Sequence, residues 1–137
     1  MLEEKTTCTY RIDEPFSRAL KQLRKALAAA NVKISGEIDM ADRVRGSLLL
    51  SVPPCVVLLA WMAAWPAEDL PLDPCAAALT PLHIVVSARG PRTEVHFLRA
   101  LPGSNRPPIF PCRYAAGRLQ AEIARVLGKI GRRSLDD

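Results

Sequence analysis

The folds open to this chain are limited above all by residues 48–67, a stretch of twenty residues without charge. Its length, with arginines before it and acidic residues after it, would suit a membrane-spanning helix. However, Pro53 and Pro54 lie in its first half, where proline removes a hydrogen-bond donor and clashes with the preceding turn. Residues 56–59 also favour a strand. We therefore expect buried strand structure here and no membrane span.

Two segments with helical periodicity bracket this middle region. Their apolar stripes, spaced three and four residues apart, consist of Phe16, Leu20, Leu23, Leu27 and Ala30 in the first segment and Leu119, Ile123, Leu127 and Ile130 in the second. We predict Asp13 as the N-cap of the first helix and Asn31, which tolerates the left-handed conformation, as its end. The second helix is predicted over about residues 114–130, ending at Gly131.

Strand patterns fill the space between the helices. Residues 6–12 and 32–40 alternate between apolar and polar, residues 41–46 are a charged connection, residues 48–50 are predicted to continue the sheet, and residues 55–61 suit a buried strand. Two further runs, residues 82–86 and 94–98, flank a turn at Gly90-Pro91, and a hairpin closing there places Val86 opposite Val95.

The grouping of strands between two helices predicts the fold class. We expect an α+β domain with the order β-α-β(3–4)-α and an antiparallel sheet with both helices packed on one face. The 137 residues fit a single domain, residues 1–137, with a core over about residues 5–131 and a frayed tail over residues 132–137. No internal repeat or domain boundary is visible.

The cysteines and the first residues indicate a cytoplasmic protein. Cys8, Cys55, Cys75 and Cys112 are widely separated, and no apolar signal-peptide run follows the acidic start. Cys112, beside Arg113 and just ahead of the last helix, is the candidate for a redox-sensitive thiol. No phosphate-binding loop, nucleophile elbow or zinc motif occurs, so the sequence nominates no catalytic residue, metal ligand set or cofactor.

Several segments resemble a known family. They are Phe16-x-x-Ala19-Leu20-x-x-Leu23 in the first helix, Val32-x-Ile34-x-Gly36 after it, and above all the proline-bounded residues 73–86. Together, over roughly residues 5–130, they are similar to the bacterial domain-of-unknown-function family 302 (DUF302). That resemblance implies half of a TATA-binding-protein-like saddle, β-α-β-β-β-β-α, and no agreed activity. The chain departs from the family at residues 60–63, where members commonly have a Gly-Asn-Pro turn.

Four residues are candidates for a ligand site: Trp61, Trp65, His83 and His96. The tryptophans are four residues apart and could line an apolar pocket, although a core corner or a dimer contact would also use them. The hairpin register places the histidines diagonally on one sheet face, with Glu94 nearby. Two imidazoles can ligate a metal or relay a proton, although histidines on a sheet surface are commoner.

The net charge of +5 is concentrated on the two predicted helices, so nucleic-acid binding is one alternative. The aromatic residues that would form a stacking platform are few, and nucleic acid is therefore an unfavoured partner. The main prediction is a non-enzymatic module that binds a small molecule or a partner protein and forms a homodimer. The other alternative is an uncharacterised enzyme or metal protein that uses His83 and His96.

Overall fold

The computed structural model describes residues 7–48, 52–62, 81–98 and 111–134. Its elements are, in chain order, β1 (Thr7–Ile12), α1 (Phe16–Ala29), β2 (Val32–Asp39), α2 (Met40–Leu48), β3 (Cys55–Met62), β4 (Leu82–Arg89), β5 (Arg92–Leu98), α3 (Pro111–Ile130) and β6 (Arg132–Arg133). The predicted α+β class with an antiparallel sheet is confirmed. Predictions on Trp65, on Cys75 and on the proline-rich residues 66–81 and 101–110 lie outside the described residues, except at Pro81.

All the strands listed above belong to one sheet with the order β2-β3-β4-β5-β1-β6, and every neighbouring pair is antiparallel. The predicted hairpin is confirmed, because Val86 pairs with Val95 and Arg89 pairs with Arg92 around a two-residue turn. Gly90, the first turn residue, has a φ of 61°, which glycine adopts at little cost and which type II′ turns require there. β1 pairs with β5, so a strand from the start of the chain lies next to this hairpin.

The core lies between the sheet and the helices α1 and α3. One face of the sheet, which we call the inner face, contributes buried side chains from β1, β3, β4 and β5 to this core. Its members include Ile12, Leu58, Ile84, Val86, Val95 and Phe97, and the helices contribute Leu20, Leu23, Leu27, Leu119, Ile123 and Leu127. Both predicted apolar stripes therefore face the sheet, as the amphipathic pattern requires.

The start of α1 differs from the prediction. Pro15, in an extended conformation, precedes Phe16 as the N-cap, and Asp13 lies outside the helix. Asp13 instead faces Arg92, with 3.4 Å between Oδ1 and Nε. The end of α1 is as predicted, because Asn31 has a φ of 61°. The N-cap prediction was wrong because the extended conformation of Pro15 places the helix start two residues later.

Two further elements correct the sequence analysis. Residues 40–48 form α2, where we expected a charged connection followed by more strand. The Asp42 N–H donates to Asp39 Oδ1 at 2.9 Å, so Asp39 caps this helix. At the other end, Arg132 pairs with Arg11 in β6, and the Ser134 N–H donates to the Thr9 carbonyl at 2.8 Å. These residues therefore extend the sheet where we expected a frayed tail.

Gly131 allows the chain to join α3 to β6. A Cβ at this position would lie 2.4 Å from the Arg11 carbonyl oxygen, closer than two such atoms can approach. The described part of the uncharged stretch supplies β3. Over the described residues, none of the helices is both long enough and apolar enough to span a bilayer.

Candidate functional site

The sheet face that points away from α1 and α3, here called the outer face, carries Trp61, His83 and His96, the predicted site residues that the structure describes. A row of side chains crosses five strands of this face. Ile38 pairs with Val57, Val57 with Val85, Val85 with His96, and His96 with Thr9. All of these side chains are half-buried. The row is apolar on β2, β3 and β4 and polar on β5 and β1.

His96 lies between two polar partners at the polar end of this row. Its Nδ1 atom is hydrogen-bonded to Thr9 Oγ1 at 2.9 Å. Its Nε2 atom is 3.4 Å from Glu94 Oε2. The hydroxyl, the imidazole and the carboxylate therefore form a chain in which both ring nitrogens face a protein group.

His83 shares the outer face with His96, as predicted, but lies nearer the other end. It pairs with Leu59 on β3, and its side chain is exposed. Within the described ranges, no group of three histidine, cysteine or acidic side chains could hold a metal ion. The two histidines therefore share a face without forming a ligand set there.

Trp61 lies on the outer face at the far end of β3, opposite Lys33. Its indole Nε1–H donates to Ser35 Oγ at 2.8 Å, and Ser35 Oγ donates to the Leu59 carbonyl at 3.3 Å. This bond holds a half-buried indole over the β2–β3 pair. A pocket between Trp61 and Trp65 stays a prediction, because Trp65 is outside the described residues.

Four charged residues lie together at the hairpin end of the outer face. We expected Glu94 near the two histidines but did not predict the three arginines as site residues. Arg11, Arg89, Arg92 and Glu94 line a cavity of about 240 Å³. Arg11 pairs with Glu94 because β1 lies beside β5. The register of the hairpin alone predicts that Arg89, Arg92 and Glu94 lie close together. Thr9 and Arg11 join the site through the pairing of β1 with β5, which local sequence patterns do not specify.

The described thiols differ in their surroundings. Cys8 lies on the inner face and is buried, and Cys55 is half-buried at the start of β3; both are free. Burial raises the pKa of the Cys55 thiol, and the negative charge of Asp39 raises it further. Cys55 is therefore an unreactive thiol near neutral pH. Cys112 lies in the first turn of α3, which begins earlier than predicted.

The family described as "Domain of unknown function DUF302" matches residues 8–130 of the chain. The chain belongs to the DUF302 family. The crystal structure of an uncharacterized conserved DUF302 protein from Bacillus stearothermophilus has a similar fold, with a TM-score of 0.75 and 14% identity over 93% of this chain and 99% of that one. No curated protein matches the sequence.

The basic helices of this DUF302 chain hold part of their charge in internal ion pairs. Arg24 donates two hydrogen bonds to the Glu37 carboxylate, at 2.7 and 2.5 Å. Arg125 donates to Glu122, and this interaction lowers the pKa of Glu122. Arg18 is 3.6 Å from Glu14. These pairs reduce the charge that the helices offer to a polyanion such as nucleic acid.

Proposed function

We propose that this DUF302 chain is a non-enzymatic binding module whose outer face takes up a small ligand with an apolar part. The observation that supports this most strongly is the row from Ile38 to Thr9, where apolar side chains continue directly into hydrogen-bonding groups. Ligand sites are mostly apolar surfaces with a few polar groups that fix the orientation of the ligand.

The composition of β3 supports the proposal from another direction. An antiparallel sheet with helices on one face commonly alternates between apolar residues inside and polar residues outside. β3 does not follow this pattern, because Val57, Leu59 and Trp61 are apolar on the outer face as well. The inner face already supplies the core, so the packing of α1 and α3 does not account for these side chains.

The chain of Thr9, His96 and Glu94 raises acid–base catalysis as a second candidate function. A general base needs a ring nitrogen within reach of the substrate proton. Both nitrogens of His96 face protein groups, at 2.9 Å and 3.4 Å. This arrangement favours a fixed hydrogen-bonding wall over a free base, and the binding module is the better supported function.

The test uses 1-octanol, a neutral amphiphile, as the probe. We expect titration calorimetry to show binding to the wild type and NMR amide shifts to cluster on residues of the outer face. Val85→Ser places a hydroxyl in the middle of the apolar row, so we expect it to weaken binding. Lys21→Ser, at an exposed position on α1, is the matched control and should bind like the wild type. Equal binding by Val85→Ser, or shifts confined to the helices, would refute the proposal.

Self-association is part of the proposal. The outer face carries Leu98, which is 49% exposed at the end of β5, two residues from His96, and an exposed large apolar residue on this face suits contact with a second copy. Light scattering should give twice the chain mass of 15.0 kDa. A monomer mass at tens of micromolar would remove the dimer from the proposal. The free thiols of Cys8 and Cys55 are consistent with the cytoplasmic location that we also propose.

A further inference from the structure

We propose that the hairpin end of the outer face binds an oxyanion, the carboxylate or phosphate group of a small amphiphile, through Arg11, Arg89 and Arg92. This inference deepens the proposed function, and it rests on that function for the apolar part of the ligand. The cavity of about 240 Å³ is lined by these three arginines and one acidic residue, Glu94. Over the described residues, the lining therefore carries three positive charges and one negative charge.

The register of the hairpin places like charges together. Arg89 and Arg92 are direct cross-strand partners and close the turn at Gly90-Pro91. Like charges opposite one another on a sheet are destabilising. A bound oxyanion between the two guanidinium groups would convert this repulsion into attraction, because arginine binds carboxylate and phosphate with paired N–H donors.

The ion pairs around the cavity are long. Arg89 Nε is 3.5 Å from Glu94 Oε1, and Arg92 Nε is 3.4 Å from Asp13 Oδ1. Charge-assisted N–H···O bonds are usually about 2.7–2.9 Å long. Each guanidinium also has five N–H donors, so these contacts use only a part of the donor capacity of Arg89 and Arg92.

Glu94 is shared between Arg89 and His96, which limits how well it neutralises the charge of Arg89. Its Oε1 atom faces Arg89, and its Oε2 atom faces His96 at 3.4 Å. Its side chain is only 15% exposed, so it is the least accessible of the four lining residues. Arg89 and Arg92 are much more accessible, which exposes their guanidinium groups to a ligand from solvent.

The size and position of the cavity define the ligand class. Drug-sized ligands occupy pockets of roughly 300–1,000 Å³, so a cavity of this volume suits one small charged group. Val85 pairs with His96 in the row described above, and the neighbouring pair towards the hairpin turn is Ser87 with Glu94, which lines the cavity. A ligand with its anionic group among the arginines would therefore extend its apolar part over Val85 and Val57.

The experiment compares octanoate with 1-octanol, which has the same alkyl chain without the charge. We expect octanoate to bind the wild-type protein at least about tenfold more tightly, because charge-assisted hydrogen bonds are stronger than neutral ones. The double variant Arg89→Gln/Arg92→Gln should lose this advantage and keep its affinity for octanol. Arg18→Gln, on α1 and 79% exposed, is the control and should keep the advantage.

The outcomes separate the two proposals. Equal affinity of the wild type for octanoate and octanol, or an undiminished advantage in the double variant, would overturn the oxyanion site. Failure of octanol to bind would overturn the proposed apolar ligand. Acetate or inorganic phosphate could then still raise the melting temperature of the wild type but not of the double variant. In that case the oxyanion site would be supported and the apolar ligand site would not. Octyl phosphate, compared with octanoate, decides which oxyanion is preferred.

A folding control completes the design. The double variant removes the repulsion between Arg89 and Arg92, but it also removes their long ion pairs with Glu94 and Asp13. Both effects are small at exposed positions, so without ligand the variant should be about as stable to urea as the wild type. A loss of octanoate binding in a protein of undiminished stability then reports the site itself.

Discussion

The inner and outer faces of the sheet differ most clearly in the neighbours Leu58 and Leu59. Both are leucines on β3, and alternation along the strand points them in opposite directions. Leu58 is completely buried beneath α1 and α3, whereas Leu59 is half-buried on the outer face. The same residue type therefore stabilises the fold on one side of the strand and, in our proposal, offers binding surface on the other.

The largest expected effect comes from truncating these two leucines. Leu58→Ala leaves a cavity in a closed core and should lower the free energy of unfolding by about 2–5 kcal/mol. Leu59→Ala removes side-chain atoms that are partly in water already, so the loss should be about 1 kcal/mol. Urea denaturation of both variants measures the difference. Equal losses would show that the outer face is as much a part of the core as the inner face.

Gly131 and Gly128, near the junction between α3 and β6, test how closely this junction approaches the sheet. Gly131→Ala would place a methyl group against the Arg11 carbonyl and should cost on the order of 1–3 kcal/mol. Gly128, one turn earlier in α3, has open space around it, so Gly128→Ala should stabilise the protein by about 0.5–1 kcal/mol. Thermal unfolding of the two variants should therefore shift in opposite directions. Two shifts of the same sign would contradict the close approach at Gly131.

The smallest expected effect concerns the Cys55 thiol. Burial and the charge of Asp39 raise its pKa, so less of the reactive thiolate is present at a given pH than in an ordinary cysteine. Alkylation of Cys55, followed by mass spectrometry of its peptide, should be slow at pH 7 and should accelerate only at alkaline pH. Asp39→Asn removes the smaller of the two causes and should increase the rate modestly. Alkylation at pH 7 at the rate of a free cysteine would contradict the raised pKa.

Local patterns in the sequence were sufficient for the long helices and for the hairpin. The apolar stripes of α1 and α3 and the turn at Gly90-Pro91 are each specified by residues close together in the chain. α2 was missed because Asp39, its cap, also fits the alternation of β2, and because the charges of Asp42 and Arg43 suggested a connection. β6 is only two residues long, which is too short for a periodic pattern.

The outer face was predictable only in part, for a related reason. The hairpin register alone places His83, Glu94 and His96 on one face. Thr9, by contrast, is 87 residues from His96, and nothing in the local sequence of β1 selects β5 as its partner. The arginine cluster was missed for the same reason, since Arg11 reaches it only through this pairing. Arg89 and Arg92, by contrast, are cross-strand partners in the predicted hairpin, so their closeness follows from its register alone.

The position of β1 between β5 and β6 has a consequence for how the protein is made. β1 leaves the ribosome before its partners, and neither of its edges can take its place in the sheet until β5 has been synthesised. Long-range pairings of this kind slow folding, since a large loop must close before the contacts form. The nascent protein therefore carries β1 without its sheet partners until the β4–β5 hairpin has been made, and the described sheet is complete only after β6, which directly follows α3, has been synthesised.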